Sequence, residues 1–211
     1  MAGLGGVLGR FFERSVDLSE LVEGPVALVV NSKASAVMIT GHSEPVVRIT
    51  GRAGLAGAVR LSKGVGERLG PTVTVDARGA KISIRAPVKA LVIAISSSAV
   101  RAEELEVDYI SLKSSHSAVK ISVRVRPGGG LLARVSGSSV KAELNPVSPG
   151  EYWVEIDASG SSVRIVTPSD ASYLLEGPAP RSVALNVNSE KKGDKLFKVR
   201  VSGGGSSISL R

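Results

Sequence analysis

Histidines are the first residues to consider for acid–base or metal chemistry, and the sequence has only two, His42 and His116. Each lies among small polar residues typical of a turn, without a second imidazole or a carboxylate at the spacing of a metal site. Cysteine is absent, which excludes disulfides, thiolate metal sites and cysteine nucleophiles. We therefore expect no metal ion, and we interpret both histidines as exposed turn residues.

Carboxylates and serines offer two routes to hydrolysis. Some β-helix proteins cleave acidic polysaccharides with carboxylates on adjacent coils, which makes Glu106, Asp108, Glu155 and Asp157 candidates. Glu106 and Glu155 are 49 positions apart, too far for the two pairs to meet at one glycosidic bond. Serines are abundant, but the Gly-x-Ser-x-Gly nucleophile elbow is missing. We predict that the protein is not an enzyme.

Glycine-rich stretches at 127–130 and 203–205 could be taken for phosphate-binding loops. Neither is followed by Lys-Ser/Thr or by a helical pattern, both of which a phosphate-binding loop requires. We interpret both stretches as turns and expect no cofactor.

A recurring basic position is the most specific functional signal. Each of these residues follows a β-branched residue that is itself preceded by two small ones: Arg60, Arg101, Lys120, Lys141 and Arg164. Stacked on one face, they would attract nucleic acid, an acidic glycan or an acidic protein. The alternative, which we favour, is a solvated face in which Glu103 and Glu143 moderate the repulsion.

Composition sets the limits on the fold. The chain has 211 residues, a formal charge of +8 and only 3% aromatic residues, so Val, Ile, Leu and Ala must fill the core. No run approaches the ~20 apolar residues of a membrane span, and the first residues lack the pattern of a secretory signal. We expect a cytoplasmic protein. The absence of Cys and Gln is a weak sign of a heat-adapted source.

The N-terminal segment, residues 1–22, differs from the rest. Its apolar residues recur at helical spacing and comprise Leu4, Val7, Leu8, Phe11 and Phe12. This pattern predicts an amphipathic helix that caps the stack. Alternatively the helix docks on a partner, or less favourably on a membrane surface, with Arg10 and Arg14 on its polar side.

Residues 23–211 follow a period of two, typical of β-strands. Two small residues followed by a β-branched one recur, with steps of 22, 23, 18, 19, 21 and 23 residues between Val37 and Val163. A period near twenty residues predicts a β-solenoid of about eight to nine coils, with the β-branched residues pointing inward. A β-sandwich is the alternative. Prolines interrupt the pattern between Thr167 and Arg181.

Two stretches, 105–121 and 154–165, alternate an extended strand with a Ser-rich corner followed by Val and a basic residue. They resemble the putative adhesin family of bacteria and archaea. The resemblance implies a β-solenoid fold and brings no catalytic residue or cofactor with it. The favoured function is a non-catalytic, adhesin-like or scaffold protein that acts through protein contacts or self-association as a homo-oligomer. The alternatives are a polyanion-binding module that uses the basic column and, less favoured, a polysaccharide hydrolase.

Overall fold

The computed structural model describes residues 13–67, 69–177, 182–187 and 193–211. Every regular element in these ranges is a β-strand, and the strands form one 15-stranded sheet. Alternating β-branched residues favour this outcome because they pack well on a pleated surface. In chain order the strands are β1 (Arg14–Leu21), β2 (Val26–Lys33), β3 (Ala36–Gly41), β4 (Val46–Gly66), β5 (Gly70–Ala86), β6 (Val88–Ser96), β7 (Ala99–Ser115), β8 (Ala118–Ser136), β9 (Ser139–Pro146), β10 (Gly150–Ser159), β11 (Ser162–Val166), β12 (Ala171–Leu175), β13 (Val183–Val187), β14 (Lys195–Gly204) and β15 (Ser206–Leu210).

The parallel strands form two main faces, and a shorter run of pairings joins 105–107 of β7, 123–125 of β8 and 144–146 of β9. Face A contains β2, β6, β10, β12 and β14 with segments 70–78 of β5, 109–115 of β7 and 130–136 of β8. Face B contains β3, β9, β11, β13 and β15 with segments 80–86 of β5, 99–103 of β7 and 118–122 of β8. The long strands β5, β7 and β8 therefore bend from one face to the other.

Five of these strands close into a ring of parallel pairings. Strand β5 pairs with both β2 and β3, β2 pairs with β6, β6 with β7, and β7 with β3. The fold is a closed five-stranded parallel β-barrel with additional strands, so the predicted β-solenoid of eight to nine coils is wrong. The alternation of residues specifies strands and their inward sides, but it does not specify whether the strands pair parallel or antiparallel, or how long strands bend and share neighbours.

The N-terminal third also departs from the predicted stack, because β1, β4 and β5 pair antiparallel. The predicted helical stripe, Leu4 to Phe12, lies outside the described residues. The described remainder of the segment forms strand β1 rather than a helix, and no helix occurs in the described ranges. The β-sandwich alternative is wrong as well, since sandwiches are built from antiparallel sheets.

The core consists of the inward-facing aliphatic residues of both faces. The β-branched positions pair side by side on face B, where Val100 lies between Val37 and Val119, and all three are buried. The prediction that they point inward is confirmed there, whereas Val59 on the antiparallel strand β4 is only partly buried. The largest buried rings, Tyr152 and Phe197, stack with centroids 5.2 Å apart.

Seven corners between faces A and B contain one residue each with a left-handed backbone: Ala34, Gly79, Ser97, His116, Gly137, Gly160 and Gly205. All but Gly79 are followed by a buried serine. These serines form a ladder in which each backbone N–H donates to the next hydroxyl, from Ser35 through Ser98, Ser117, Ser138 and Ser161 to Ser206. The ladder holds the corners in place, and the corners border a groove on face A.

Candidate functional site

A groove of about 600 Å³ lies on face A beside the serine corners. We call it the corner groove. Most of the residues that line it have polar side chains, including four cations, two carboxylates, one amide and a set of serines: Lys33, Arg78, Lys113, Arg134, Asp76, Asp157, Asn31, Ser96, Ser115, Ser136 and Ser159.

The register of face A brings these residues together in two neighbouring columns. One column contains Asp76, Asn31, Ala94, Lys113, Arg134 and Asp157, which follow one another from strand to strand. The next column, two residues further along each strand, contains Arg78, Lys33, Ser96, Ser115, Ser136 and Ser159. Adjacent strands are about 4.8 Å apart, so each column is a closely spaced row of polar groups.

The cations of the corner groove are not neutralised. Lys33, Arg78, Lys113 and Arg134 are exposed, and none of them forms an ion pair with another described residue. Of the two carboxylates, Asp76 accepts a 2.8 Å hydrogen bond from the Asn31 amide. The groove therefore carries a net positive charge and offers both donors and acceptors.

Four of the five predicted basic residues do meet on face B. Arg101, Lys120, Lys141 and Arg164 occupy the same register position on adjacent strands. Arg60 lies apart from them, opposite Asp76 in the antiparallel pair of β4 and β5. We use the name basic column for the four residues on face B.

Carboxylates neutralise much of the basic column. Glu103 lies 2.6 Å from Arg101 and 4.0 Å from Lys120, and Glu143 lies 2.5 Å from Lys141. The hydrogen bonds from Lys141 and Ser122 lower the pKa of Glu143, which keeps its compensating charge in place. This arrangement favours the interpretation of a solvated face.

The other sequence candidates are dispersed. Glu106 and Asp108 both form ion pairs with Arg126, and Glu106 and Arg126 line a second groove. Asp157 lines the corner groove instead. The His42 Nδ1 accepts a 3.0 Å hydrogen bond from the backbone N–H of Glu44, and His116 occupies a corner against Gly137. The carboxylate pairs therefore do not converge on one site, in line with their separation in the sequence.

An aromatic pair lies on face A beyond the corner groove. The rings of Tyr109 on β7 and Trp153 on β10 are 5.7 Å apart and tilted by 37°, and both side chains are partly exposed. Trp153 Nε1 donates a 3.2 Å hydrogen bond to the carbonyl oxygen of Gly128, which fixes the orientation of the indole.

Sequence reasoning missed the corner groove, although a signal for it existed. Its serines precede the corners at a constant offset, as Ser96, Ser115, Ser136 and Ser159 each come directly before the left-handed residue. Its cations do not share one offset, because Lys33 and Arg78 come directly before the corner and Lys113 and Arg134 come three residues before it. A search for one recurring basic position therefore passes over them.

Within the described ranges, no group of three or more His, Asp or Glu side chains is arranged to hold a metal ion. None of the described residues belongs to a helix long and apolar enough to cross a membrane.

Comparisons with known proteins give only distant likenesses. No family model matches the sequence, and no curated protein matches it. A solved structure described as a putative cell adhesion protein from Clostridium sporogenes has 11% identity and a TM-score of 0.47, covering 93% of this chain and 99% of that one. A putative adhesin from Bacteroides fragilis has 10% identity and a TM-score of 0.34, with coverages of 94% and 97%.

A third solved structure, described as a putative lipid binding protein from Parabacteroides distasonis, has 12% identity and a TM-score of 0.29, with coverages of 96% and 98%. The first two descriptions match the family that the repeats resemble. At these TM-scores, however, the likenesses assign neither a family nor a function to this chain.

Proposed function

We propose that this protein is a non-catalytic, adhesin-like binding module that holds an extended anionic polymer in the corner groove. The observation that carries the proposal is the set of four exposed cations without ion pairs, Lys33, Arg78, Lys113 and Arg134. An anionic ligand would supply the negative charges that these four cations lack as partners within the described part of the protein.

Electrostatics makes this surface suitable for a polymer rather than for a small ion. The cations are spread along face A from Arg78 on β5 to Arg134 on β8, and each exposed cation contributes only a modest attraction in water. A ligand with repeated negative charges adds these contributions together. Its binding must weaken as salt rises, because the Debye length is about 8 Å at physiological ionic strength.

The basic column is the weaker candidate for the same task. Three of its four cations lie within 4.0 Å of Glu103 or Glu143, so an anion would have to compete with these carboxylates. Arg164 is the exception, since no ion pair joins it to another described residue.

A binding assay with matched variants tests the proposal. Binding of heparin, a soluble sulfated glycan, is measured by isothermal titration calorimetry at low and high salt, together with a neutral dextran. The double variant K113Q/R134Q removes two charges from the corner groove, and K120Q/K141Q removes two from the basic column. We expect binding to heparin alone, weakened by salt and by K113Q/R134Q but little changed by K120Q/K141Q. Equal losses in the two variants, or no binding to heparin, would refute the assignment of the groove.

Self-association is a second candidate, supported by strand β12. Its exposed Leu174 and Leu175 lie on a strand whose described pairing is with β14 alone, and an open edge can pair with another chain. Light scattering during size-exclusion chromatography tests it with the variant L174K/L175K. A wild-type oligomer that becomes monomeric in the variant supports self-association through β12, and a wild-type monomer overturns it.

The cytoplasmic location stays a prediction. An acidic glycan of the cell surface as the natural ligand would contradict it.

A further inference from the structure

We infer that the ligand of the corner groove is an acidic oligosaccharide and that one of its sugar rings stacks on Trp153. This inference rests on the proposed function and specifies the class of polymer. It starts from the position of the aromatic pair relative to the groove.

Trp153 and the corner groove share one side of strand β10. Side chains four residues apart on a strand point the same way, and Asp157, four residues after Trp153, lines the groove. At about 3.3 Å per residue, the two positions are about 13 Å apart along the strand. An oligosaccharide of a few rings that runs along the strands would contact both the indole and the cations.

The indole is held as a fixed platform. Its Nε1 is bonded to the carbonyl oxygen of Gly128, and the ring lies across β8 over Gly130, where a Cβ atom would come within 2.6 Å of Trp153 Cδ2. Tyr109 packs against its side at a centroid distance of 5.7 Å. A ring that is already ordered loses little conformational freedom on binding, which favours a stacking contact.

The polar groups of the groove favour a sugar over a nucleic acid. Asp76 and Asp157 line the groove beside the cations. Ionised carboxylates accept hydrogen bonds but cannot donate them. The hydroxyl groups of a sugar can donate to these oxygens, while its acidic substituents bind Lys113 and Arg134. A phosphodiester group has no donor to offer, so in a nucleic acid only the base edges and, in RNA, the 2′-hydroxyl groups could bond to these carboxylates, whereas every ring of a sugar chain carries hydroxyl groups.

The number of outward-facing aromatic rings also favours a sugar over a nucleic acid. Proteins that bind single-stranded nucleic acid stack successive bases on several aromatic side chains. In the described part of face A, the outward aromatic residues are Tyr109 and Trp153, which touch each other and form one platform. A single platform beside a row of charges fits one sugar ring within an acidic chain.

The test uses the fluorescence of Trp153, which is the only tryptophan of the chain. The full-length protein is titrated with a heparin hexasaccharide and, separately, with a single-stranded oligothymidylate of similar total charge. We expect a saturable change in emission with the hexasaccharide and weaker binding of the oligothymidylate. W153L and W153F lack the fluorophore, so their affinities are measured by isothermal titration calorimetry alongside that of the wild type. We expect W153L to weaken hexasaccharide binding by about fivefold or more, the low end of the effect of losing one base–aromatic stacking contact, with partial recovery in W153F.

Salt dependence separates the platform from the cations. W153L should leave the slope of affinity against salt unchanged, whereas K113Q/R134Q should reduce it. Circular dichroism and thermal unfolding of W153L establish that the variant is folded, and W153F provides a second ring if it is not. If binding depends on Lys113 and Arg134 but is indifferent to Trp153, the proposed function stands and this inference fails. Binding of the oligothymidylate that is as tight as that of the hexasaccharide also overturns it.

Discussion

The buried hydroxyl of Ser117 should contribute measurably to stability. Ser117 is 8% exposed, and its Oγ accepts a 3.1 Å hydrogen bond from the backbone N–H of Ser98 and donates a 2.7 Å bond to the carbonyl oxygen of Ser115. The variant Ser117→Ala loses both hydrogen bonds. Alanine should accept the backbone conformation of this position, so the loss of the bonds is the main change. The buried N–H of Ser98 is then left without the hydroxyl that accepts its hydrogen bond.

The two lost bonds differ in cost. The carbonyl oxygen of Ser115 keeps a 3.0 Å hydrogen bond from the backbone N–H of Ser97, so losing the bond from the Ser117 hydroxyl costs this oxygen little. The N–H of Ser98 bears the main penalty, and a buried donor without a partner costs about 1–3 kcal/mol. For a protein of this size, each kcal/mol corresponds to a fall in Tm of roughly 2–4 °C. We therefore expect Ser117→Ala to lower the free energy of unfolding by about 1–3 kcal/mol.

Equilibrium urea unfolding, followed by circular dichroism, measures this change. Ser139→Ala is the matched control, because Ser139 is exposed on face B, and the same register position is already an alanine on the adjacent strand, at Ala118, and on the strand beyond it, at Ala99. The control should change stability by less than about 0.5 kcal/mol. If Ser117→Ala and Ser139→Ala unfold at the same urea concentration, the serine ladder does not stabilise the corners as argued.

Three further predictions concern a corner, an ion pair and the core. Ala34→Gly relieves a left-handed alanine with φ 52° and should raise the free energy of unfolding by up to about 1 kcal/mol, whereas Ala36→Gly in the adjoining strand should lower it by about 0.5–1 kcal/mol in the same urea assay. Glu143 has a lowered pKa, so its contribution is complete above its ordinary pKa and is lost as the pH falls through the lower pKa of the folded state. The stability advantage of the wild type over Glu143→Gln should therefore shrink as the pH is lowered from neutrality to about 3, and a constant difference would contradict the assignment. Phe197→Ala removes a buried ring stacked on Tyr152 and should cost about 3–5 kcal/mol in thermal unfolding, while a loss below 1 kcal/mol would mean that the site collapses around the gap.

The local features of the fold could be predicted from the sequence because they depend on neighbouring residues. Alternation in Val119-Lys120-Ile121 determines which side chains point inward, and Val119 and Ile121 are buried as expected. Small residues such as Ser117 and Ala118 mark a corner in the same way. For the inward side chains, a period of two along the strand is sufficient.

The way in which strands share neighbours could not be predicted in the same manner. The pairing of β5 with both β2 and β3 depends on where a 17-residue strand bends, and β4 interrupts the parallel order by pairing antiparallel with β5. These are long-range choices, and strand periodicity is the same in both arrangements.

One of the two candidate surfaces could be predicted from the sequence and the other could not. The basic column could be predicted because Arg101, Lys120 and Lys141 share one position relative to the corner. The corner groove could not, because Arg78 and Lys113 reach it from different offsets and are gathered only by the register of face A. Recognising it required the strand order as well as the sequence.

Amide chemical shifts would test the account most directly. A ¹⁵N–¹H correlation spectrum of the full-length protein is recorded during titration with a heparin hexasaccharide. We expect the largest shifts at the corner groove, around Asn31–Lys33, Asp76–Arg78, Lys113–Ser115 and Arg134–Ser136, and at the Trp153 indole N–H. Shifts centred on Arg101, Lys120, Lys141 and Arg164, or the absence of saturable shifts, would contradict it.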